Sequence, residues 1–96
     1  MKSLLAMFQT PVHERVEEAV KAAAERRSDV EYHRYMREYY YEERTKITPN
    51  VSAADATEYA RLFRKQEEHQ EEGVVAERKH NTAKAKLEAL RKAQRA

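Results

Sequence analysis

The chain has 96 residues, of which 38% are charged, yet its formal net charge is only +2. Ile, Leu, Val and Phe together number 15, under a fifth of the chain, which is too little apolar material to wall an enzyme pocket. One Gly and two Pro exclude Gly/Pro-rich architectures, and the absence of Cys excludes a disulfide framework and thiol chemistry. The dominant residues, Ala, Glu, Arg and Lys, are strong helix formers, so the composition reads as one all-α domain whose long helices carry narrow apolar stripes. Ordering costs about 1.5 kcal/mol per residue, and thin stripes barely offset it. Self-association or a protein partner is therefore expected.

Residues 1–10 form an apolar arm in which Leu4, Leu5, Met7 and Phe8 either fold back over the first helix or enter a partner's groove. The cluster is too short for a signal-peptide core or a bilayer span, so a cytoplasmic protein without membrane contact is expected. Thr10 followed by Pro11 reads as an N-cap with proline at the first helical position, opening a first helical region over 11–45. Within it Val12, Val16, Ala19, Val20 and Ala23 define one stripe and Tyr32, Tyr35, Met36 and Tyr39 another. Val16 and Tyr32 are 16 residues apart, which sets the stripes about 160° apart on a straight helix. Either the helix breaks or kinks near 26–28, where Ser28 and Glu31 fit a capping box, or it carries two opposed apolar faces.

Residues 46–52 contain Thr48-Pro49-Asn50, the strongest breaker in the chain, and Ser52 with Asp55 resembles a capping box that opens a second helical region over 53–96. Ala56, Tyr59, Ala60 and Phe63 share a face there. Residues 64–73 contain no apolar side chain and read as a solvated surface with charge pairs such as Arg64 with Glu68; Gly73 either ends the helix or is carried through it. Ala76, Ala83, Leu87 and Leu90 make a thin stripe beyond it. The expected architecture is a helical hairpin or small helical bundle with extended, coiled-coil-like arms. A central turn at this length resembles the WXG-type helical hairpins, but their turn motif needs a tryptophan that this chain lacks. Leu62-Phe63-Arg64 resembles the Leu-Tyr-Arg tripeptide of small mitochondrial assembly subunits, where it stands near the start of a three-helix bundle; here too little chain follows.

Five of the six tyrosines fall within 32–41, and Tyr39, Tyr40 and Tyr41 are consecutive, so they cannot all face one core. Tyr32, Tyr35, Met36, Tyr39, Tyr40 and Tyr41 are the candidate protein-binding residues, because tyrosine buries large area at low entropic cost and keeps a hydroxyl for a hydrogen bond. One packing places Tyr32, Tyr35 and Tyr39 in the hairpin core against Tyr59, Leu62 and Phe63 and leaves Tyr40 or Tyr41 for the partner. The tail is the one strongly asymmetric charge region: Arg78, Lys79, Lys84, Lys86, Arg91, Lys92 and Arg95 face only Glu77 and Glu88 beyond residue 76. It reads as a solvated helix end or as a sequence-independent anion-binding arm.

Catalytic and metal motifs are incomplete. His13-Glu14-Arg15-Val16-Glu17 carries Glu17 where a zincin helix needs its second His, and Glu77 with His80 is a single Glu-x-x-His. No enzyme activity, cofactor, metal or small-molecule substrate is expected. The chain is expected to act stoichiometrically as an adaptor, an inhibitor or a small subunit of a larger assembly such as a phage particle, with nucleic-acid or polyanion binding by the tail as the alternative.

Overall fold

The computed structural model describes residues 11–95. Two helices, α1 (Val12–Thr45, 34 residues) and α2 (Ala53–Arg95, 43 residues), form an extended hairpin. The molecule measures 73 × 26 × 13 Å with a radius of gyration of 21.4 Å. A compact chain of this length would have a radius near 12 Å. Among the described residues the hairpin is therefore two helices thick, which limits their burial to one seam.

Local chemistry fixes the ends of the helices. Pro11 takes the N-cap position of α1, with φ −52° and ψ 145°, and its carbonyl accepts from Glu14 N–H and Arg15 N–H, both at 3.1 Å. This corrects the expectation that Pro11 opens the helix as its first residue: its φ suits either position, but its extended ψ leaves it outside. Thr10 lies outside the described residues. At the other end Lys46 N–H donates to Glu43 O and Ile47 N–H to Arg44 O, tightening the last turn. Pro49 bars helical geometry at Thr48, and Val51 N–H donates to Thr48 O at 3.3 Å to close the turn. α2 starts where Asp55 N–H donates to Ser52 Oγ at 3.0 Å, an N-cap of the kind the Ser52–Asp55 spacing predicts.

Both helices run without a break through the doubtful positions, 26–28 in α1 and Gly73 in α2. α1 does not break near 26–28, and its two apolar stripes differ in exposure, with Ala19 and Ala23 buried and Tyr32, Tyr35 and Tyr39 exposed. The inward residues explain why. Val16, Ala19, Ala23, Val30, His33, Arg37, Tyr40 and Arg44 are buried or half-buried, and with Arg26 they recur at alternating steps of three and four. Tyr59, Leu62, Gln66, His69, Gly73, Ala76, His80, Ala83, Leu87 and Leu90 do the same in α2. This spacing keeps one face of each long helix turned to the other. The seam thus continues beyond Ala23, but through polar residues that no apolar stripe reveals.

Residues 64–73 are corrected accordingly. They are not a uniformly solvated surface, because Gln66, His69 and Gly73 fall on the inward face. The ion pair within this stretch joins the half-buried Lys65 to Glu68 at 3.3 Å, not Arg64 to Glu68. Gly73 has no positive φ, so it acts as a helical residue and not as a cap. The buried core of the described residues is correspondingly small: Ala19, Ala23, Leu62 and Ala76, with Leu62 its one large side chain. No described helix is long and apolar enough to cross a membrane.

Candidate protein-binding face and the polar centre of the hairpin

The orientation of the tyrosines follows from the seam. Because α1 turns Val30, His33, Arg37 and Tyr40 inward, residues one or two positions away from them must point sideways or out. Tyr32, Tyr35 and Tyr39 are 54%, 67% and 44% exposed, and Tyr41 is 50% exposed. The packing of Tyr32, Tyr35 and Tyr39 as a core against Tyr59, Leu62 and Phe63 is therefore corrected. Tyr40, one of the two rings that packing left for the partner, is half-buried. Its ring stacks on His69 at 5.6 Å and 16°, and Tyr39 meets it edge-on at 5.2 Å. Met36 is half-buried beside the outward rings. Spacings of three, four and seven put Tyr32, Tyr35, Met36 and Tyr39 on one helical face, the pattern by which a helix enters a groove.

Near the turn Arg44 organises a second aromatic group. Its guanidinium lies 4.8 Å from the Phe63 ring centroid and 5.4 Å from those of Tyr41 and Tyr59. Arg44 Nη1 donates to Tyr59 Oη at 2.9 Å. A planar cation suits this position because it stacks on ring faces while its edge hydrogen-bonds. Arg44 Nε is buried without a partner, so the clamp is incompletely satisfied. Phe63 stays 40% exposed, which extends the aromatic surface from α1 around the turn end of the hairpin.

The middle of the seam is polar. His33 Nδ1 and His69 Nδ1 are 2.9 Å apart, and Tyr32 meets both rings edge-on at 5.1 and 5.9 Å. Arg37 Nη1 donates to Gln70 Oε1 at 2.7 Å. Glu72 Oε2 lies 3.5 Å from His33 Nδ1. His33, His69 and Glu72 hold their ligand-type atoms within 4.8 Å of one another. Gln66 Oε1 is buried without a hydrogen-bond partner. The expectation of no metal ligand set did not weigh this pair. It rested on spacing within a single helix, whereas these two are 36 residues apart and meet because the hairpin closes.

The tail residues Arg78, Lys79, Lys84, Lys86, Arg91, Lys92 and Arg95 are all exposed, and among the described residues none is held in an ion pair. Arg26, Arg78, Lys79 and Lys86 line one shallow cleft floored by Ala22 and Ala83. The antiparallel arrangement also brings the acidic start of α1 alongside, since Glu18 and Lys86 share the neighbouring cleft. Around the turn, the Arg61 guanidinium holds the Glu58 carboxyl below its ordinary range through two hydrogen bonds, and Glu43 raises the Lys46 ammonium. These pairs are solvent-exposed, so each adds only slightly to stability. Comparison of the chain with protein-family models, with curated proteins and with solved structures finds no match in any of the three.

Proposed function

We infer that this chain is a non-enzymatic protein-binding module that acts stoichiometrically, as an adaptor, an inhibitor or a small subunit of a larger assembly such as a phage particle. Its docking surface is the outer face of α1 bearing Tyr32, Tyr35, Met36 and Tyr39, continued by Tyr41 and Phe63. The observation that carries this reading is the exposure of Tyr32, Tyr35 and Tyr39 on one face of a hairpin whose buried core, among the described residues, is three alanines and one leucine. Aromatic side chains of this size each bury roughly 150–250 Å² when fully covered. A partner that covers them gains area that α1 and α2 do not supply to each other. Tyrosines clustered in this way are the usual anchors of an interface.

A second reading has its own observation. The exposed, unpaired cations of the tail, three of which share a cleft with Arg26, suit phosphate or another polyanion, bound without regard to base sequence. The two readings separate by salt and by mutation. Full-length chain serves as bait in extract of the source organism, at low and at high salt, beside Tyr35→Ala/Tyr39→Ala and a variant with Lys84, Lys86, Arg91 and Lys92 changed to Gln. The tyrosine reading expects one protein recovered in fixed ratio, retained at high salt, lost with the tyrosine variant and kept with the glutamine variant. Recovery that disappears at high salt and with the glutamine variant alone supports the polyanion reading and overturns the first.

A further inference from the structure

We propose that His33, His69 and Glu72 form a binding site for one divalent transition-metal ion of the zinc class, fastening α1 to α2 at the polar middle of the hairpin. The ligand set is drawn from both helices: His33 from α1, and His69 with Glu72, one turn apart, from α2. A zinc ion held at 2.0–2.1 Å by tetrahedral ligands separates neighbouring donor atoms by about 3.3 Å. The observed separations bracket that value, 2.9 Å between the two Nδ1 atoms and 3.5 Å from His33 Nδ1 to Glu72 Oε2. Small side-chain adjustments convert the hydrogen-bonded pair and the neighbouring carboxylate, whose ligand atoms all lie within 4.8 Å of one another, into a coordinated set, with the fourth position left to water or to a group from a partner.

The chemistry of the set narrows the ion. Two imidazoles and one carboxylate suit zinc, cobalt, nickel or copper, whereas magnesium and calcium require oxygen ligands throughout. The rings are already held in place. Tyr40 stacks on His69, and Tyr32 packs edge-on against both histidines, so little ordering is left for binding. Access is open, because Glu72 is largely exposed and His33 lines the clefts on either side of the seam. The seam also has a use for the ion. Apolar burial lapses where His33, Arg37, Gln66 and His69 face inward, and a metal bridge there supplies cohesion that the side chains do not. This inference is independent of the tyrosine face and of its partner.

The test uses the full chain without an affinity tag of histidines, freed of metal by a chelator. Titration with zinc chloride, followed by calorimetry, is expected to give one ion per chain. Thermal unfolding followed by circular dichroism is expected to rise by at least about 5 °C with zinc in excess and not with magnesium. His33→Ala and His69→Ala should each weaken zinc binding at least about tenfold, while His13→Ala/His80→Ala leaves it unchanged. Imidazole NMR of the unsubstituted chain removes any dependence on whether the variants fold: zinc should shift the His33 and His69 signals and spare those of His13 and His80. A zinc-indifferent melting curve overturns the proposal, as does binding that shifts His13 or His80 instead.

Discussion

Replacing Gly73 with Ala tests the continuity of α2 and the spacing of the seam in one step. Glycine inside a helix costs about 1 kcal/mol relative to alanine because it gives up more backbone freedom on ordering. A Cβ added at Gly73 would meet His33 Cβ at 3.5 Å, which is ordinary van der Waals contact, so the methyl enters without displacing the opposite helix. With no positive φ to strain the new residue, the whole propensity gain should appear as stability. Gly73→Ala is therefore expected to stabilise the hairpin by about 0.5–1 kcal/mol, roughly 2–8 °C in melting temperature for a chain of this size. Thermal and urea unfolding followed at 222 nm measure it. A destabilised variant would contradict both the uninterrupted α2 and the distance between the helices at this point.

Further perturbations probe other parts of the account. Gln66→Leu removes a buried, unpartnered acceptor and places an apolar side chain on the inward face, so it should stabilise by about 1–2 kcal/mol in the same melts. Leu62→Ala, at the one large buried side chain among the described residues, should cost about 2–3 kcal/mol, the low end of the range because a two-helix seam can close over the gap. Ser52→Ala removes the acceptor for Asp55 N–H and should cost about 1 kcal/mol while leaving the middle of α2 intact by hydrogen exchange. The lowered pKa of Glu58 means that its pairing with Arg61 favours the fold above the ordinary carboxyl range and ceases to do so as pH falls through the folded value. Glu58→Gln should accordingly leave melting at acid pH unchanged and lower it slightly at neutral pH; the reverse order would contradict the assignment.

The helices and the turn were legible in the sequence because their signals are local. Pro49 acts on Thr48, and Ser52 acts on Asp55, whatever the rest of the chain does. The seam was not legible, since apolar periodicity in α1 weakens after Ala23 while the inward face continues through His33, Arg37, Tyr40 and Arg44. A search for inward positions at alternating steps of three and four from Val16, without regard to polarity, would have reached Tyr40. That step alone would have separated Tyr40 from Tyr32, Tyr35 and Tyr39 and turned the latter outward. The pairing of His33 with His69 carries no signal within either helix. It requires the register of the hairpin, which the turn length and the close approach at Gly73 set together.

The outward tyrosines carry the account, and their accessibility can be measured directly. Hydroxyl-radical footprinting of the free chain, then of the chain in the complex recovered from extract of the source organism, reports each ring separately. In the free chain Tyr32, Tyr35, Tyr39 and Tyr41 should be modified readily and Tyr40 slowly, in line with their exposure. In the complex Tyr35 and Tyr39 should become protected while the tail stays reactive. Equal reactivity of Tyr35 and Tyr39 in the two states would contradict the claim that this face binds the partner.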